Sequence, residues 1–289
     1  MTVVTAWRPR LGHSGAMSDI ALTEAARSSL LLLQRTADAR ADTTRRLASG
    51  LRVERPVDDP ADFFRADALR ERVSDLLSAK DSIGQATSAV GGALVGVEAI
   101  EDLTGQLKGI ALAAQGGSTE ARQAAAQQFD VIRQQITALA NDVSFGGVAL
   151  LAESSGNLEV NLDGEGLSDL TIENHNAGSA GLGIGSAISD FNGFSTDADI
   201  HSAVAGVNSA ITTLRARASS LGNDVSVLNI RERFNDDLAN TLETGAAKLV
   251  NADLNEEGVR LVSTQVREQL GIEGLRVAQQ SASILASLI

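Results

Sequence analysis

Several groups of side chains have types and spacing from which chemistry could be built. Asp58, Asp59 and Asp62 place three carboxylates close together, the raw material of an acid–base pair or a cation site. They also flank Pro60, where acids cap free helix N–H groups and complement the dipole. The context favours capping, because no histidine lies nearby. Gly178, Gly181, Gly183 and Gly185 have the look of a phosphate-cradling loop. No Lys-Ser/Thr pair follows them, so a flexible surface loop is expected. Arg27, Arg35, Arg40, Arg45 and Arg46 could grip phosphates, but Asp38 and Asp42 interleave with them and no aromatic platform accompanies them. A solvated or subunit-pairing face fits better. Phe63-Phe64 reads as local packing at a helix start rather than a ligand pocket.

Cysteine is absent, which excludes disulfides, thiolate catalysis and cysteine-ligated zinc. His13, His175 and His201 are scattered, and no Ser–His–Asp set can be nominated. The residues therefore point to no enzyme, no cofactor and no metal. A formal charge of −13 with pI ≈ 4.7 argues against nucleic acid as a partner. No apolar run approaches the roughly 18 residues a membrane span needs. Met1–Ala16 lacks the apolar stretch of a secretory leader, so any export must take a route other than a cleaved signal peptide.

Any such groups must be held by the surrounding elements, and those are mainly helical. Of 289 residues 43% are apolar but only 3% aromatic, so cores must be built from Leu, Ile, Val and Ala, which suits close helix packing. Pro9, Pro56 and Pro60 all precede residue 61, leaving the rest free of proline interruption. Leu22, Ala26, Leu30, Leu33, Ala37 and Leu47 recur at helical spacing over 19–49, with Gly50 as a stop. Residues 51–58 should be extended. A second helix starts at Asp59-Pro60, and Gly116-Gly117-Ser118 separates it from a third over about 119–141. Leu158, Val160 and Leu162 alternate with polar residues, and Leu170–Glu173 is a second candidate strand, predicting a hairpin. Residues 151–200 carry nine acids and no Lys or Arg, and 174–199 shows no sustained period. A small, solvent-facing, β-containing insert is expected there. Helix resumes near Ile200, with a joint at Gly222-Asn223. A fresh helix opens at the capping box Asp253–Glu256. Leu275, Ala278, Ala282, Leu285 and Ile289 follow at strict 3-4-3-4 spacing, a coiled-coil seam that needs partners. The similar lengths of the first and last helices invite antiparallel pairing.

With these helices in hand, a family resemblance emerges. Arg45-Arg46-Leu47-Ala48-Ser49-Gly50-Leu51-Arg52-Val53 resembles the R-L-S-S-G-L-R-I segment of bacterial flagellins. Asp58-Asp59-Pro60-Ala61 is similar to the acidic pair that follows that segment. Asp62–Ala89 resembles the alphaproteobacterial variant. Leu249–Glu257, Gln265–Leu270 and Ala278–Ile289 are similar to the flagellin C-terminal region. The matching family positions are Arg46, Leu47, Gly50, Leu51, Arg52, Asp58 and Asp59.

The resemblance implies a filament subunit for swimming motility, located in the flagellum, exported by the flagellar route and polymerised under a distal cap. Its implied partners are other copies of itself, the export apparatus, hook-associated and cap proteins, and an export chaperone. The implied fold is mainly α: long antiparallel helices from both ends forming a coiled-coil inner domain, plus an elongated helical rod domain with a small β-hairpin insert. In this chain the inner domain would be 17–52 with 251–289, the rod domain 53–151 with 200–250, and the variable outer insert 152–199. Subunit packing would fall to Leu22, Leu30, Leu33 and Leu47 of the first helix, and to Leu270, Leu275, Ala278, Ala282, Leu285 and Ile289 of the last. Residues 1–16 have no counterpart in the family pattern, and Met17 stands where members begin, so Met17 is the expected start. Gln106–Gln115 aligns with the stretch read by toll-like receptor 5; Lys108 and Gly109 stand where Arg and Glu belong, so weak receptor activation is expected. The alternatives are a hook–filament junction protein of the same secretion system and a soluble helical binding module.

Overall fold

A computed structural model describes residues 24–287; the expectations resting on 1–23 and 288–289, among them Met17, Leu22 and Ile289, lie outside the described residues. The chain divides into two compact units, one made of residues up to Pro60 and from Val250 onward, the other of Ala61–Leu249.

The 61–249 unit contains three helices: α2 (Pro60–Ala113), α3 (Thr119–Asp142) and α4 (Asp197–Val250), whose first and last residues lie at its edges. Along α2, Ile83, Ala86, Val90, Ala93, Val97, Ile100, Thr104, Leu107 and Ala111 are all buried at alternating three- and four-residue steps. That narrow seam lets so glycine-rich a helix survive, since its stability comes from packing rather than propensity. Ile200, Ala203, Val207, Ala210 and Leu214 bury the same pattern in α4. The two helices run antiparallel, as Lys80–Asp236 and Arg215–Glu101, both 2.8 Å, establish. α4 continues unbroken through Gly222-Asn223, contrary to the expected joint. Buried Leu221 and Leu228 hold its inner face, and the Ser226 hydroxyl donates to the Gly222 carbonyl at 2.9 Å.

The expected hairpin is present. β1 (Leu158–Asn161) pairs antiparallel with β2 (Asp169–Ile172), with Leu158 opposite Ile172 and Val160 opposite Leu170. The segment around it is not the solvent-facing insert that composition suggests. Val160, Ile172, Leu182, Ile184, Ala187 and Phe194 are buried in the same core as the helices. Single apolar residues set between glycines give no period, so polar anchors position them instead. Buried Asp130 of α3 accepts from the Ser186 hydroxyl at 2.8 Å and from the N–H groups of Ala187 at 2.8 Å and Ile188 at 3.2 Å. Arg217 donates to the carbonyls of Asn176 and Gly181.

Just before α4, Asn192, Gly193 and Phe194 form a left-handed turn with φ of 45°, 61° and 58°. Left-handed angles cost an L-residue about 1–2 kcal/mol. Phe194 is nonetheless fully buried, edge-on to Phe129 at 5.5 Å between ring centroids. Arg122 closes the turn, donating to the Phe194 and Ser195 carbonyls and pairing with Asp197.

The other unit is a helical hairpin of α1 (Glu24–Ser49) and α5 (Leu254–Ser287). α1 ends at Gly50, whose N–H donates to the Arg46 carbonyl at 2.8 Å. Asp253 opens α5 by accepting from the N–H groups of Asn255 and Glu256. Residues 51–58 are extended only at the start. Leu51 forms an antiparallel bridge with Asn251, the N–H groups of Arg52 and Val53 both donate to the Val250 carbonyl, and Ala252 donates to that of Gly50.

Candidate assembly surfaces

The α1/α5 hairpin inverts the usual arrangement of polar and apolar residues. Its inward positions carry Thr36, Thr43, Thr264 and Glu257, all buried. Each of the hydroxyls of Thr36 and Thr264 bonds a carbonyl of its own helix, so small polar residues satisfy themselves and leave room for close approach. Gly271 marks the tightest point: a Cβ there would lie 3.1 Å from Leu33 Cδ2. Two cross-helix ion pairs set the antiparallel register, Arg46–Glu257 at 3.1 Å and Arg40–Glu268 at 2.8 Å. Glu257 is also approached by Arg260 at 3.6 Å. Its second carboxylate oxygen is buried without a hydrogen-bond partner.

The outward face carries the hydrophobes. On α5, Val259, Val262, Val266 and Leu270 are 73%, 60%, 48% and 67% exposed, spaced three, four and four residues apart, which is one helical stripe. Leu30, Leu31 and Leu32 of α1 are exposed as well. So continuous an apolar surface is unusual for a subunit meant to stand alone in water. A second, smaller stripe lies on α4 in the other unit, where Val227, Ile230 and Phe234 are exposed three and four residues apart.

Leu30 and Leu270 are exposed, while Leu33, Leu47 and Leu275 are half-buried. Ala278, Ala282 and Leu285 fall within α5, but their side chains lie outside the described residues, as do Leu22 and Ile289. Among the motif residues, Arg46 pairs with Glu257, while Gly50, Leu51 and Arg52 build the crossover to residues 250–252. Asp59 stands before Pro60, the first residue of α2. Asp58 departs from the expected helix cap. Its carboxylate turns back and accepts from the N–H groups of Arg55 at 2.9 Å and Glu54 at 3.2 Å, tying the 54–58 turn. The Arg55 N–H above all holds it below the usual carboxylate range. Phe63 and Phe64 stack edge-on against each other at 5.5 Å, and Phe64 is exposed.

Sequence reasoning missed Glu257 and the threonine seam, because polar residues at inward positions give no hydrophobic period. It names Leu270 as a packing residue but misses Val259, Val262 and Val266, which share its stripe. Among the described residues, no group of three or more His, Asp or Glu is placed to hold a metal ion.

The chain is similar to known proteins along most of its length. Residues 20–156 match the family model described as the bacterial flagellin N-terminal helical region. A flagellin of Caulobacter vibrioides, FljM, is 30% identical over 264 residues, covering 90% of this chain and 95% of the relative. A second from the same organism, FljO, is 28% identical over 275 residues, covering 94% and 99%. A flagellin of Brucella melitensis is 25% identical over 279 residues, again covering 94% and 99%.

Proposed function

The chain belongs to the flagellin family, and on that premise we propose that its terminal helices form a half-built interface that neighbouring copies complete. It is a structural subunit of the bacterial flagellar filament, the organelle of swimming motility. The observation that carries the assembly reading is the inverted hairpin, with threonine, glycine and an ion pair inside and Val259, Val262, Val266 and Leu270 outside. Stacking copies removes that stripe from water, at about 25 cal/mol for each Å² of apolar surface covered. The residues expected from the sequence to pack between subunits, Leu30, Leu33, Leu47, Leu275, Ala278, Ala282, Leu285, Leu22 and Ile289, belong to the same proposal.

In this reading residues 17–52 with 251–289 form the inner domain, residues 53–151 with 200–250 form the rod domain, and the acidic 152–199 segment faces outward. The subunit travels through the flagellar export apparatus, is guarded by an export chaperone, and is placed by cap proteins beyond the hook-associated proteins.

Electron microscopy and sedimentation of the purified full-length chain at high salt test the assembly role. Long helical filaments are expected, and Val262→Asp should raise the concentration needed to form them at least roughly tenfold, since burying an unpaired carboxylate costs well over the ~1.4 kcal/mol that tenfold represents. Persistent monomers under all conditions would instead favour a junction adaptor.

A further inference from the structure

Asn192-Gly193 is the single Asn-Gly pair in the sequence. The fold has a reason to use it: the turn needs left-handed backbone at consecutive positions, which asparagine tolerates better than most residues and glycine adopts freely. The same pair is the most prone to self-reaction in an open chain, because glycine offers no Cβ to hinder its own amide nitrogen. We infer that Asn192 is a modification site whose reactivity is switched by folding, inert in the native turn and reactive once the turn opens.

The step itself is ordinary amide chemistry. The Gly193 amide nitrogen gives up its proton to base and attacks Cγ of Asn192. A C–N bond forms, the carboxamide nitrogen leaves as ammonia, and a five-membered imide results. Water then opens either carbonyl, leaving aspartate or isoaspartate, with no change of oxidation state.

In the native turn the nucleophile is occupied. The Gly193 N–H donates to the Ala187 carbonyl at 2.8 Å, so removing its proton would place an anion against a carbonyl oxygen. The Asn192 carbonyl is held by the Ser195 hydroxyl at 2.5 Å, and Phe194 is locked in the core against Phe129. The backbone therefore cannot swing as ring closure requires. The Asn192 side chain is exposed, so water reaches its carboxamide freely; the held Gly193 N–H and the fixed backbone limit the reaction. The other glycine of this kind, after Asp163, is restrained similarly, its N–H donating to Asn161 Oδ1 at 2.7 Å.

The products differ in consequence. Aspartate keeps the backbone length and can take the same left-handed angle. Isoaspartate inserts a methylene into the main chain just ahead of Gly193, one residue before Phe194, whose ring is fully buried and so would have to shift to accommodate it. An aged unfolded chain should thus be barred from folding, whereas the folded subunit keeps.

The test incubates the full-length protein in warm, mildly alkaline buffer, native and in denaturant, and follows the Asn192 peptide by mass spectrometry with the other asparagines as internal standards. Deamidation at Asn192 should be at least roughly tenfold faster in denaturant, the ratio reporting how seldom the native turn opens. Equal rates in the two states, or no preference for Asn192 in denaturant, would overturn the proposal. Gly193→Ala, compared only in denaturant so that its folding is immaterial, should slow the reaction. After dilution from denaturant, isoaspartate should be depleted in the monomer that refolds, while Asn192→Asp refolds with a Tm close to the parent's. Full recovery of isoaspartate in native monomer would sink the folding barrier.

Discussion

Phe129 and Leu270 are both large apolar residues on helices, yet one is fully buried and the other is 67% exposed. The contrast holds for the units they belong to. The 61–249 unit closes its own core, with heptad-spaced seams on α2 and α4, a paired-aromatic centre at Phe129 and Phe194, and a loop anchored on Asp130. The terminal hairpin has threonines, a glycine and an ion pair on its inner seam beside half-buried leucines, and leaves Val259, Val262, Val266 and Leu270 to water. One unit closes a core of its own; the other exposes an apolar stripe that, in the proposed reading, neighbouring copies cover.

The contrast breaks most visibly if the chain is ended before Leu270. Sedimentation and electron microscopy should then show no filaments, while the main thermal transition, carried by the 61–249 unit, stays within a few degrees. Fibres growing as readily as before would refute the division of labour. Next in size, Phe129→Ala should cost about 3–5 kcal/mol in denaturant unfolding, whereas Leu270→Ala should change monomer stability by no more than ~0.5 kcal/mol. Equal losses would mean the hairpin surface is core after all. Arg46→Ala leaves the Glu257 carboxylate buried with one partner fewer and should destabilise the hairpin by ~1–3 kcal/mol, read as faster hydrogen exchange in α1 and α5. Unchanged protection there would remove the ion pair from the account.

The smallest effect is one of pH. Burial, with the Arg217 charge adding to it, lowers the His175 pKa below 6.5, and its Nε2 is buried without a partner. The unfolded chain takes up this proton first, so stability should fall as pH drops through about 6.5 and level off once the folded form also protonates. Asp224, raised above 3.8 by burial, works in the opposite sense at lower pH. Thermal melts of His175→Gln should be flatter across that first window; an identical profile would exclude His175 as the source.

What could be read from the residues was whatever announces itself locally. The hairpin of β1 and β2 followed from alternation, the α3 start from Ser118, and the α5 start from Asp253, because strand period and caps act over two to four residues. Positions fixed by distant partners were not legible. Asp130 looks like any helix acid until Ser186, Ala187 and Ile188 are folded onto it. Gly222 reads as a joint until Leu221 and Leu228 are seen to be buried on either side of it. Thr36, Thr43 and Thr264 form an inward seam with no hydrophobic signature at all. The assembly surface was half legible. The spacing of Leu275 with the residues beyond it pointed to a seam, but the exposed stripe begins earlier, at Val259.

The crossover that lays residues 51–53 beside 250–252 has a bearing on time as well as shape. Arg40 meets Glu268 across 228 positions of chain, so the first helix made must wait for the last to be synthesised before it finds its mate. Closing so long a loop is slow and comes late. The newborn polypeptide therefore keeps α1 without its partner helix until α5 has been made.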